Sequence, residues 1–196
     1  MAFGKVRNEI QSRIEDGACL LMNLVDEVND FFLKKISLIK EDIHAIREDN
    51  KEMDFEEIQS ILSPYQQMEE FYNTLYEEAM EMLVSKVYSY AEIHIGLILF
   101  RIGYSLNKAR KEYKIGHKSD NGISDIEKSF YVISKRATIG ISNITDIWQD
   151  YKHMHEIRKN IEHHCRDVNY LIDKIYLNKN IQQIKELLCL LETKTR

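Results

Sequence analysis

Proline is almost absent from this chain. There is one, Pro64, in 196 residues, and only seven glycines accompany it. So few breakers exclude a sheet protein with many tight turns and favour long helices. Cysteine is scarce too: Cys19, Cys165 and Cys189 are odd in number and widely scattered. They form neither a disulfide framework nor a C-x-x-C metal pair, which points to a reducing compartment. Basic residues are not in excess. The net charge of −5 offers no bulk field to nucleic acid, so any RNA contact must be local. The start, MAFGKVRNEI, lacks the apolar core of a signal peptide, and the longest apolar run, Ile95 to Phe100, is too short to cross a bilayer. A soluble, cytoplasmic protein with no membrane partner is expected. Hydrophobic residues, at 44%, are nevertheless plentiful enough to build a core.

Those hydrophobic residues recur at helical spacing. From Lys5 to about Glu48 the steps between Ile10, Ile14, Ala18, Leu21, Val25, Val28, Phe32, Ile36, Ile39, Ile43 and Ile46 are threes and fours throughout. One long amphipathic helix fits, or two nearly collinear ones meeting near Phe31 and Phe32. Asp54 with Glu57 has a capping-box pattern, and Ser63-Pro64 reads as a second start with proline at the first helical position. From Pro64 a helical pattern runs to about Arg110. At about 1.5 Å per residue that rod would be roughly 70 Å long, so a bend or break is expected in it. Its apolar centre, YSYAEIHIGLILFRIGYSL, should lie inside the bundle. Residues 112 to 124 read as a loop. Ser124 with Glu127 opens a further helix, residues 138 to 143 are a loop or short extended piece, and another helix starts near Thr145. The last pattern follows Cys165. The fold class is therefore all-α, a bundle of about five helices with a long N-terminal amphipathic helix. The division expected is 1–62 as a helical segment packing on or extending the bundle, and 63–196 as the helical domain.

Chemistry concentrates in EIRKNIEHHC, residues 156 to 165. Four of the seven histidines fall between His153 and His164, beside Arg158 and Asn160. Arginine grips a phosphate through two hydrogen bonds, and histidine exchanges a proton near neutral pH. Together they supply the minimum for internal phosphoryl transfer in RNA, without a metal. Arg158 and His163 are five apart, about 140° around an ideal helix, so they diverge on an intact one. A site using both needs the helix to end near His163, or a second copy of the motif from another subunit.

The stretch IWQDYKHMHEIRKNIEHH resembles the signature helix of the HEPN superfamily of all-α domains: an arginine, four to six residues, then a histidine. Arg158 with either His163 or His164 satisfies that spacing, and Ile157, Ile161 and upstream Trp148 match as well. YSYAEIHIGLILF resembles the family's early core helix, with Glu92 amid apolar neighbours. One departure is that Lys159 stands directly after the arginine, where many active members have the asparagine that here is Asn160. The resemblance covers roughly residues 65 to 190. It implies a metal-independent endoribonuclease, with paired motifs facing each other across a homodimer and no cofactor. Arg158 would stabilise the phosphorane, His163 would act as acid or base, and Asn160 and His164 would orient the RNA substrate. Such domains recur in toxin–antitoxin and anti-phage systems, so an antitoxin or a nucleotidyltransferase is an expected partner. Some relatives are inactive binding modules.

Two rival readings have their own residues. His153, His155, His163, His164 and Cys165 include good metal ligands. But His153 and His155 lie about 200° apart on a helix, the H-E-x-x-H motif is absent, and Glu41 to His44 is a single E-x-x-H where a di-iron bundle wants two. The long N-terminal helix could instead dock a partner helix. His94, Tyr88 and Tyr90 read as core residues, and His153 and His155 as exposed, with one of the two a candidate neighbour of the catalytic pair.

Overall fold

A computed structural model of the chain describes residues 2–116, 124–137, 145–162 and 172–195. Six helices and no strand occur among them: α1 (Ala2–Asp49), α2 (Phe55–Arg101), α3 (Leu106–Gly116), α4 (Asp125–Arg136), α5 (Thr145–Glu162) and α6 (Lys174–Lys194). The all-α expectation holds. The apolar stripe of α1 is one continuous helix through Phe31 and Phe32, not two.

Helices α1 and α2 form a long antiparallel hairpin. Tyr90 Oη donates to the Ile14 carbonyl at 2.6 Å, Tyr76 Oη to Asn29 at 3.0 Å, and Lys40 meets Glu69 at 3.5 Å. One residue number rises as the other falls. Close approach of the two helices depends on Gly17, where an added Cβ would lie 2.8 Å from Tyr90 Cε2. His94 is buried on the same seam, its Nδ1 2.8 Å from the Tyr90 carbonyl, as expected of a core histidine.

Asp54 is the N-cap of α2 and accepts from the Glu57 backbone N–H, as its pattern suggests. Ser63-Pro64 is not a second start: Pro64 lies inside α2. Pro64 is exposed, and so is Ser60, whose carbonyl loses its helical donor to the proline. The expected break in the 64–110 rod falls at Ile102–Ser105. Gly103 adopts φ 76°, Tyr104 N–H donates to Leu99 O and Gly103 N–H to Phe100 O, both at 3.0 Å. This is the hydrogen-bond pattern of a glycine-terminated helix end. The expected loop of 112–124 begins later, because α3 continues to Gly116, and 117–123 lie outside the described residues. So do 138–144. Ser124 and Glu127 form the reciprocal capping box that opens α4.

Against the hairpin, α6 packs on α1 and α2, α5 on α2 and α6, and α4 on α2 and α3. The main core thus gathers at one end, around Ile14, Met80, Val84, Tyr88, Ile98, Ile133, Met154, Ile157 and Leu188. At the other end the buried apolar residues are few, among them Ile36, Ile39, Ile43 and Leu62. Helix α2 is long and apolar enough to cross a bilayer by length and composition, but 56% of the qualifying stretch is buried within the protein. The apolar centre does not lie wholly inside, since Ile93 and Phe100 are exposed.

Candidate functional site

Helix α5 presents Tyr151, His155 and Arg158 at steps of four and three, which puts all three on one face. That face meets Tyr88 of α2. The Tyr88 ring stacks on Tyr151 with centroids 5.3 Å apart and on His155 at 5.2 Å, and the Arg158 guanidinium carbon stands 4.4 Å from its centroid. Arg158 Nη1 is also 3.6 Å from Glu92 Oε2, one turn beyond Tyr88 on the same helix. The guanidinium is thus held by the negative face of a ring and by a carboxylate, an arrangement that fixes a planar cation better than an ion pair alone.

Burial raises the phenols of Tyr88 and Tyr151 above their ordinary range, so both stay neutral hydroxyls at physiological pH. They shape the site and do not act as bases. Arg158 itself keeps 24% of its side chain exposed, and Glu92 keeps 43%. The cation is therefore anchored at its inner side, and part of its side chain reaches solvent.

Of the four residues that the sequence puts forward, Arg158 and Asn160 lie within the last turns of α5. They are two apart, about 200° around the helix, so Asn160 does not share the face of Arg158. His163 and His164 lie outside the described residues, as do Cys165 and the side chain of Trp148. Sequence reasoning named His155 together with His153 as a candidate neighbour of the catalytic pair and did not choose between them. His155 was expected to be exposed, but it is half-buried against Tyr88, and its Nδ1 is buried without a hydrogen-bond partner among the described residues. The signal was available: His155 precedes Arg158 by three residues and follows buried Tyr151 by four. His153 is on the exposed side, edge-on to Tyr176 of α6 at 6.4 Å.

Among the described residues no three histidine, cysteine or acidic side chains lie together as a metal site would require. A shallow depression of about 330 Å³ between Lys40, Arg47 and Glu69 belongs to the far end of the hairpin, not to this face. No family model, no curated protein and no solved structure matches this chain.

Proposed function

We propose that this chain is a HEPN-like, metal-independent endoribonuclease, the effector of a toxin–antitoxin or anti-phage system, in which Arg158 carries the phosphate. The observation that supports the reading is the seating of Arg158: half-buried, stacked on Tyr88, paired with Glu92, and followed within six residues by two histidines. A cation fixed before substrate arrives loses little conformational freedom on binding, which is how preorganised charge lowers a barrier. In the proposed reaction His163 takes the proton of a ribose 2′-OH, whose oxygen attacks the adjacent phosphorus. The P–O5′ bond breaks, the leaving oxygen receives a proton, and Arg158 offsets the charge of the phosphorane between. The products are a 2′,3′-cyclic phosphate and a 5′-hydroxyl. His164 and Asn160 orient the RNA, and a second copy of the motif from a homodimer completes the site.

Cleavage of a fluorescent RNA in EDTA tests this. Wild type cleaves and leaves cyclic phosphate ends. Proton transfer of this kind is worth about 10² to 10⁴ in rate, so His163→Ala loses about that much. Arg158→Lys fails as well, because an ammonium lacks the planar fork. Rescue of EDTA-treated protein by a divalent ion would transfer the reading to metal chemistry. RNA binding without cleavage by purified, partner-free protein would make the domain a binding module instead.

A further inference from the structure

Asn160 is turned away from Arg158, but His155 is not. His155 precedes Arg158 by three residues, a spacing that sets two side chains of a helix beside each other, with Cβ atoms roughly 5–6 Å apart. Both also lean on one ring. The Tyr88 centroid is 5.2 Å from that of His155, with the planes inclined by 26°, and 4.4 Å from the Arg158 guanidinium carbon. The imidazole is therefore held by stacking before any ligand arrives.

Its two nitrogens have different surroundings. Nδ1 is buried and has no hydrogen-bond partner among the described residues, while Nε2 is not sealed in this way and the ring as a whole is only half-buried. Orphaned N–H groups are rarer in protein interiors than acceptors left short of a donor. The neutral ring accordingly carries its hydrogen on Nε2 and leaves a lone pair at Nδ1. A charged ring would have Nε2–H as well. Either way an N–H is available on the face of Arg158. A ring present for packing alone has no use for nitrogens, and burying one of them unpaired is a cost.

We infer that His155 Nε2–H is a second donor to the phosphate that Arg158 carries. This rests on the reading of Arg158 as the phosphate ligand. A tetrahedral phosphate has several outward oxygens, so the guanidinium fork and the imidazole N–H can hold different ones. The non-bridging oxygens gain negative charge as the 2′-oxygen attacks, and a donor already fixed in place binds the phosphorane more strongly than the ground state. In this role His155 neither takes nor gives a proton. Proton transfer stays with His163, and Tyr88 acts as the support of both donors.

Three substitutions separate donation from packing. Glutamine can place an amide N–H near the position of Nε2, asparagine only near that of Nδ1, and phenylalanine keeps the stack on Tyr88 with no donor. If His155 only packs, phenylalanine is the best replacement and glutamine a poor one. If it donates, that order reverses.

Inorganic phosphate is the probe, followed by nitrogen NMR of the full chain at the His155 ring and the Arg158 guanidinium. Wild type is expected to bind phosphate and to show the hydrogen of the neutral ring on Nε2. His155→Gln should bind phosphate within about threefold of wild type, and His155→Phe and His155→Asn about tenfold more weakly. In RNA cleavage the variants without a donor should lose about 10² in kcat with little change in KM. Their pH profile should keep its limbs, which belong to proton transfer by other groups. A hydrogen found on Nδ1 overturns the inference, and it is read on wild type, so no variant has to fold for it. Wild type that binds no phosphate, or His155→Phe that binds it better than His155→Gln, also overturns it. Phosphate binding in the expected order without any RNA cleavage leaves the His155 donor standing and removes only the nuclease reading. Cleavage unchanged by His155→Phe does the opposite.

Discussion

The two ends of the α1–α2 hairpin are built from helices of the same kind, yet they differ in what surrounds them. At the wide end α2 is flanked by α1, α4, α5 and α6, and its residues from Met80 to Leu99 supply much of the core. Among the described residues the narrow end is built from α1 and α2 packed on each other, and the core shrinks to Ile36, Ile39, Ile43 and Leu62 with a few half-buried neighbours. Two helices alone bury one stripe each, so amphipathic periodicity makes the hairpin but cannot make it rigid. The Arg158 cluster sits at the wide end. A site that must hold a cation in place needs neighbours on several sides, and only that end provides them.

Ion pairs sharpen this contrast most. At the wide end Arg101 pairs with Glu192 and bonds the Glu192 carbonyl at 2.9 Å and the Thr195 hydroxyl, tying the end of α2 to the end of α6. The Glu192 side chain is fully buried. Arg101→Met should cost about 3–5 kcal/mol in urea denaturation, because it removes the cation that pairs with a buried carboxylate. Lys40 and Glu69, the corresponding pair of the narrow end, keep 60% and 27% of their side chains exposed. Lys40→Met should change stability by less than about 1 kcal/mol. Equal costs would erase the distinction.

Core truncation gives the next largest difference. Leu188 and Leu62 are both 0% exposed. Leu188→Ala sits among helices that cannot all close in, so it should cost about 3–5 kcal/mol, while Leu62→Ala lies between two helices free to move together and should cost about 2 kcal/mol. Amide exchange tells the two apart further. Leu62→Ala should speed exchange in residues 36–72 and leave α5 and α6 untouched, as expected of a unit that opens by itself. Faster exchange throughout would show one cooperative body.

How far each end could be read from sequence follows the same division. Helical stripes and caps are local, so Asp54, Ser124 and the apolar steps of α1 were legible directly. Pro64 was misread because its cost depends on whether the freed carbonyl is wet, a fact of tertiary environment. The break at Gly103 could be expected from length, but its place depends on a backbone conformation that many glycines never adopt. The site was half legible. Arg158 stood out by type and spacing. Tyr88 and Glu92 belong to another helix, and no spacing within one segment reveals a contact across two. His155 was not told apart from His153, although of the two only His155 lies one turn before Arg158 and shares its face.

Capping tests the hairpin turn. Asp54 accepts from Glu57 N–H at 3.0 Å and starts α2, whose first turn packs through half-buried Ile58. Asp54→Ala should cost about 1 kcal/mol. In exchange measurements the loss should appear chiefly as fraying of residues 55–62. If α2 beyond Met80 exchanges faster as well, the narrow end is coupled to the wide one more strongly than its small core implies.

The smallest expected effect lies at the waist, where α1 meets the start of α6. Asp26 accepts from Asn178 at 3.1 Å and pairs with Lys174 at 3.1 Å; Lys174 also reaches Asp30 at 3.8 Å. The Asn178 hydrogen bond, then Lys174, hold the Asp26 carboxyl below its ordinary value of 3.8. A group with a depressed folded pKa stabilises fully above its unfolded value and loses that contribution as pH falls through the folded one. The Asp26 contribution is therefore complete from pH 5 to 8 and is lost progressively as pH falls below the ordinary value and through the lower folded one. Lys174 is raised, chiefly by the same Asp26 bond, so its contribution is complete below its ordinary value of 10.5 and is lost at higher pH. Both groups are exposed, so the effect is a small shift of the urea midpoint. The midpoints of wild type and Asp26→Asn should differ at pH 6 and converge as the acid range is entered. A difference that persists unchanged at pH 3 would mean that the asparagine disturbs packing between α1 and α6, and that the charge has no part in joining the two halves.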